Sequence, residues 1–203
     1  MAFTSVRYRT YREYIDAADI GTEGNLRLLE NGEVIELPPE DDENIFVASE
    51  LAELLKRLSD NRRLVKSGST EIQVNPIGDR RVNRVPDLLV LRPEHIELMA
   101  QIKKSVILFG WPPPVLVAEL VSPGAERSDN YKRDYEWKKQ QYEWWQIPEY
   151  WIIDRHRQQV VIFTLVDGSY QEQRYIGTDP ICSYVFPSLQ VNTSSILAGE
   201  IIK

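Results

Sequence analysis

Two carboxylates and a lysine stand out because of where they sit. Glu119 lies inside PVLVAELV, residues 114–121, an almost continuous apolar run. Such runs are typical of strands buried on both faces. Strand alternation puts Val115, Val117, Glu119 and Val121 on one face and Leu116, Ala118 and Leu120 on the other. A carboxylate there is costly unless it is paired or bound to a cation. Glu119 alone therefore reads equally as a salt-bridged structural acid or as a ligand. Asp87 follows Pro86 and opens a second apolar stretch, DLLVL. The proline disfavours a helical turn before the acid. Lys138 belongs to a helix expected from Ser128 or Asp129 to about Trp145. Helical spacing places Tyr131, Tyr135, Lys138, Tyr142 and Trp145 on one face, the face that packs on a sheet. A lysine there either snorkels to the rim or directs its ammonium at something negative.

An all-oxygen set made of Asp87 and Glu119, with Glu33 as a further candidate, suits a hard cation such as Mg²⁺ or Mn²⁺. Such an ion polarises a phosphodiester and activates water. A nearby lysine would orient the water or offset developing charge. Other metal chemistries are poorly supplied. The chain has one cysteine, Cys182, and two histidines, His95 and His156. That excludes an intramolecular disulfide and a cysteine-based zinc site, and it suits a reducing cytosol. Cys182 is expected as a buried apolar filler.

The elements that must carry these residues follow from pattern. Residues 9–17 suggest a short helix. Residues 26–37 read as a hairpin about Asn31-Gly32, the dipeptide of two-residue type I′ turns. Glu43 to Leu58 has a helical apolar stripe. Residues 62–66, 70–75 and 84–91 are expected strands, and 94–104 is a helix or loop. After the 114–121 strand and the lysine helix come the strand EYWIID, a hairpin about Asp167-Gly168 and a last strand near Leu189–Val191. Trp137, Trp144, Trp145 and Trp151 cluster around one helix–strand unit, as core or dimer surface. The order implies an α/β or α+β fold, a mixed sheet with helices packed on it.

The chain has 203 residues, which fits one domain spanning 1–203. No stretch is apolar enough for a membrane span, and the N-terminus lacks the apolar core of a signal peptide. The net charge of −7 argues against a simple nucleic-acid coat, but the charges are segregated. Residues 13–53 hold thirteen acids and one base, Arg27. Residues 56–84 hold eight bases against three acids. The basic segment is either ordinary surface or a source of backbone contacts to nucleic acid.

Val85-Pro86-Asp87 followed by Glu119-Leu120-Val121-Ser122-Pro123 resembles the PD…(D/E)XK pattern of a large nuclease superfamily, except that Val121 stands where lysine is usual. One bacterial family of restriction-endonuclease-like proteins within it matches better. The chain is similar to it in Asn31-Gly32-Glu33, in Val-Pro-Asp and in Glu-x-x-Ser-Pro. It also shares an Asp-x-x-x-Lys-x-x-x-Tyr helix, here Asp134, Lys138 and Tyr142, and a Pro-Glu-Tyr-Trp-Ile-Ile-Asp strand. In that family the lysine has moved from the strand to the helix.

The resemblance implies a restriction-endonuclease-like core, a mixed central sheet flanked by helices, with N- and C-terminal hairpins. It implies metal at Asp87 and Glu119, with Glu33 carried over too, and a catalytic set of Asp87, Glu119, Lys138 and Tyr142. DNA is the implied substrate, in a homodimer without membrane attachment. One departure is Glu43-Asn44 where the family often has His-Asn. It keeps open a second reading, an inactive nuclease-like homodimer that binds nucleic acid or a protein. A hydrolase for small phosphate esters is a third.

Overall fold

The computed structural model describes residues 7–17 and 25–201. Helix α1 (Tyr11–Asp16) starts where the Thr10 hydroxyl accepts the Glu13 N–H. Strands β1 (Leu26–Leu28) and β2 (Val34–Glu36) then form an antiparallel hairpin. Its loop differs from the two-residue turn expected. The Gly32 N–H donates to the Leu29 carbonyl and the Leu29 N–H to the Glu33 carbonyl. Of the Asn-Gly pair only Gly32 has positive φ, +84°. That is a three-residue loop closed by a glycine bulge, which needs one left-handed residue where type I′ needs two. At the other hairpin Asp167 and Gly168 both have positive φ, and the two-residue turn forms as expected.

Helix α2 (Asp42–Leu58) is capped by the Asp41 carboxylate, which accepts from the Glu43 and Asn44 N–H groups. A 3₁₀ turn at Arg62–Leu64 leads into β3 (Val65–Ser67), β4 (Glu71–Gln73), β5 (Asn83–Arg84) and β6 (Leu88–Val90). Residues 94–102 form a helix, α3 (Glu94–Ile102), stopped by Lys103 in the left-handed region. Then follow β7 (Val106–Ile107) and β8 (Leu116–Leu120). The lysine helix is α4 (Asp129–Lys132), a π-helical stretch at Arg133–Lys138, and α5 (Lys139–Trp144). Strands β9 (Glu149–Asp154), β10 (Gln159–Val166) and β11 (Ser169–Ile176) complete the sheet.

The six-stranded sheet has the order β11-β10-β9-β8-β6-β3. The β8–β9 pair is parallel and the other pairs antiparallel. Alternation divides it into two apolar faces. Leu88, Val90, Leu116, Ala118 and Leu120 pack under Val47, Leu51 and Leu55 of α2. Leu89, Val117, Val121 and Ile152 pack with Tyr142 of α5 on the opposite side. The predicted face split holds for residues 116–121 and sends Glu119 toward the lysine helix, but Val115, which precedes the strand, packs on the α2 side and not with Val117 and Val121. A small sheet, β5-β4-β7, flanks this second side.

Two expectations at the C-terminal end fail. Leu189–Val191 is not a strand, because pairing there is reduced to an isolated Pro180–Asn192 bridge and an Ile181 N–H to Val191 carbonyl bond. The Asn192 side chain instead caps a helix, α6 (Thr193–Ala198), whose Ile196 and Leu197 enter the core. Cys182 is exposed, since the same irregular segment turns it outward. Of the tryptophans, Trp151 is fully buried in β9 and Trp144 is exposed on α5. Among the described residues no helix is long and apolar enough to cross a membrane.

Candidate active site

The β6–β8 register pairs Leu88 with Ala118. One step further, Asp87 stands opposite Glu119. Directly opposed residues on antiparallel strands share a face, with Cβ atoms about 4.5–5.5 Å apart. The Leu120 N–H donates to Asp87 Oδ2 at 2.7 Å, which holds the carboxylate at the strand mouth.

Glu119 is 1% exposed, and both of its oxygens are engaged from the helix. The Tyr142 hydroxyl donates to Oε1 at 2.7 Å. The Lys138 ammonium lies 2.9 Å from Oε2. It also lies 2.7 Å from Asp134 Oδ1, so one cation joins two buried acids. Asp134 is fixed further by Arg133, 3.5 Å away, and by the Tyr150 hydroxyl, which donates to its backbone carbonyl at 2.9 Å. Asp134 and Lys138 lie within the π-helical stretch. Wide turns of this kind are uncommon and recur at functional sites.

The electrostatics follow from this packing. Burial pushes the Asp87 carboxyl up to about 8, and the Glu119 charge opposite adds to it. Burial pulls the Lys138 ammonium down, but Asp134 and Glu119 more than reverse this and raise it above the ordinary lysine value. Burial and Glu119 drive the Tyr142 hydroxyl well up, so it remains a proton donor. Lysine and tyrosine are thus held protonated against Glu119, while Asp87 resists a second nearby negative charge.

The carboxylates open onto a cleft with two lobes. One, about 590 Å³, is lined by Glu119, Arg81, Arg84, Arg133 and Lys138. The other, about 750 Å³, is lined by Tyr14, Ile45, Ser69, Glu71 and Lys104. Asn25, Arg27, Glu40, Val85 and Asp87 border both.

Of the residues singled out in the sequence, Asp87, Glu119, Lys138 and Tyr142 meet here. Glu33 does not join them. It sits beyond the hairpin loop, exposed, held by Arg7 at 2.5 Å and by the Asn31 side chain at 3.0 Å. Glu43 also faces elsewhere, in a surface ion pair with Arg155 at 3.3 Å. The basic segment is not one stripe. Arg57 and Arg62 pair with Glu53, and Arg80 with Glu30, while Arg81 and Arg84 turn into the cleft around Asp79. Sequence reasoning missed Glu40, which borders both lobes and adds to the upward shift of Asp87. Its only local signal is that it follows Pro38-Pro39, a rigid lead-in.

The model of the Uma2 family, described as "putative restriction endonuclease", matches residues 11–194. The chain belongs to this family. Uma2 membership covers the hairpin, the sheet and the lysine helix together. A crystal structure of "a putative nuclease" from Anabaena variabilis, assigned to a domain family of unknown function, is similar across 86% of this chain and 90% of that one. The TM-score is 0.58 and the identity 15%, so the likeness speaks for the fold: a restriction-endonuclease-like mixed sheet flanked by helices. No curated protein matches the chain.

The donor set fits a hard divalent cation. Asp87 and Glu119, both on the cleft wall, would supply oxygen ligands, and Mg²⁺ is commonly held by one or two carboxylates while keeping several waters. Among the described residues no three His, Cys, Asp or Glu side chains group closely enough to form a full protein cage. Ligands beyond Asp87 and Glu119 would thus come from water and substrate.

Proposed function

We propose that this protein is a Mg²⁺- or Mn²⁺-dependent endonuclease that hydrolyses DNA phosphodiester bonds. The observation that carries the reading is the Lys138 ammonium, 2.9 Å from the carboxylate of Glu119, which stands opposite Asp87. That set reproduces the two acids and one lysine of the nuclease superfamily, with the lysine delivered from the helix. Asp87 and Glu119 would hold the cation. A divalent ion held there would polarise the phosphodiester and lower the pKa of water. Lys138 would orient the attacking water or offset charge gathering on the phosphoryl oxygens. Tyr142 fixes the Glu119 carboxylate by its hydroxyl. Arg81 and Arg133, on the lobe wall, supply positive charge toward a sugar–phosphate backbone.

The direct test is incubation with supercoiled plasmid and with single-stranded DNA, in Mg²⁺ or Mn²⁺ and in EDTA. Nicking is expected with either metal and not in EDTA, and Asp87→Ala and Glu119→Ala should abolish it. Nicking that is absent, or that persists in both variants, overturns the reading. Turnover of a nitrophenyl phosphodiester without cleavage of DNA would favour a small-ester hydrolase instead. The proposal extends to a homodimer, on the strength of the family resemblance. Sedimentation at micromolar concentration measures it, and a monomer there removes that part.

A further inference from the structure

Arg27 is the only base among thirteen acids in residues 13–53, and the reaction proposed above gives it no part. It lies on β1, is 7% exposed, and borders both lobes of the cleft alongside Asp87. Its Nη1 donates to the neighbouring Leu26 carbonyl at 2.6 Å. Among the described residues no carboxylate lies within ion-pairing distance of it.

The other arginines of the cleft differ on this point. Arg84 is gripped by both oxygens of Asp79, at 2.8 and 2.9 Å, and by Gln141. Arg81 also lies against Asp79, and Arg133 against Asp134. Glu71, the acid whose charge acts most on Arg27, is committed to the Tyr11 hydroxyl, and burial pushes its own carboxyl up. Arg27 thus keeps a charge that guanidinium cannot shed. A buried charge without a carboxylate partner among the described residues costs stability. Its retention on the wall of a cleft calls for an anion that arrives with the ligand.

We propose that Arg27 is a phosphate-binding residue: its guanidinium takes the non-bridging oxygens of a phosphodiester in a strand lying beside Asp87 and Glu119. The planar fork of arginine matches two such oxygens, which a point-charge ammonium does not. The proposal rests on the nuclease reading for the identity of the strand, and on Arg27 itself for the phosphate site. It also accounts for a cleft that continues past the carboxylates: the strand would run from the Arg133 lobe across Asp87 toward Ser69 and Lys104.

The test is binding without catalysis. Fluorescence anisotropy of a labelled twelve-nucleotide single strand, in EDTA, is followed against salt for wild type, Arg27→Met and Arg27→Lys. Arg27→Met is expected to weaken binding about tenfold or more and to reduce the salt slope by about one. Arg27→Lys should restore the slope but only part of the affinity. The melting temperature of Arg27→Met should hold or rise, because a buried charge with no carboxylate partner among the described residues has been removed. An unchanged slope in Arg27→Met overturns the proposal, as does a wild type that does not bind the strand. If Arg27→Met fails to fold, Arg27→Lys is decisive through its affinity: wild-type affinity overturns the proposal and a reduced one supports it. A wild type that binds but never nicks plasmid defeats the nuclease reading alone.

Discussion

Lys138 reaches Glu119 from the helix and not from the strand. Its ammonium lies 2.9 Å from Glu119 Oε2, while Val121, at the strand position where the superfamily has lysine, is buried among apolar side chains. The same ammonium is the counter-ion of Asp134. The lysine is therefore structural as well as chemical, and its loss leaves two buried acids with a missing partner.

Lys138→Met should lower stability by about 3–5 kcal/mol, the usual consequence of leaving buried charge uncompensated. Urea denaturation measures it. Metal-dependent nicking should fall about a hundredfold or more. A variant as stable as wild type would show that neither acid depends on this ammonium.

The two kinds of arginine in the basic segment and its surroundings should separate in binding. Arg62 is exposed and already paired with Glu53 at 2.8 Å, so Arg62→Ala should leave oligonucleotide affinity nearly unchanged. Arg133 lines the cleft, and Arg133→Ala should weaken binding and reduce its salt dependence by about one. Anisotropy titrations at several salt concentrations compare them. Equal losses in the two variants would mean that the outer surface carries the strand.

His95 should make the protein sensitive to mild acid. It is fully buried; its Nδ1 accepts from the Arg92 N–H and its Nε2 faces the Pro112 carbonyl at 2.7 Å. Burial lowers its pKa below the ordinary 6.5. Between the two values the unfolded chain binds a proton that the folded chain refuses, so stability falls as pH drops below about 6.5. Melting curves from pH 7 to pH 5 should show a steeper loss for wild type than for His95→Gln. Parallel curves would rule out this source.

Glu149 should hold down the C-terminal segment. It is fully buried and accepts from the Ser183 hydroxyl at 2.8 Å and from the Tyr184 and Val185 N–H groups at 2.7 and 2.9 Å. Glu149→Gln turns one acceptor oxygen into a donor facing these groups. A loss of about 1–3 kcal/mol is expected, with faster amide exchange at 183–186. Exchange that changes uniformly over the molecule would disprove the local latch.

Local pattern alone determined much of this protein. The alternation of PVLVAELV placed Glu119 on one face of a buried strand, and helical spacing placed Lys138 and Tyr142 on the packed face of one helix. These are properties of neighbours in the chain, fixed by the period of the backbone. Family motifs supplied the chemistry that those positions imply. Glu33 shows the limit: a conspicuous acid beside a turn, it has no period that says which way it points, and Arg7 holds it at the surface.

Only the tertiary structure decided what depends on register and docking. Strand pairing set Asp87 opposite Glu119, and the π-helical stretch brought Asp134 and Lys138 against it. The folded hairpin carried Arg27 to the junction of two lobes and left it without a carboxylate partner among the described residues. Such relations join residues distant in sequence, through contacts whose energies no short window contains. Glu119 thus passes from an acid equally readable as structural or metal-binding to the shared partner of Lys138 and Tyr142.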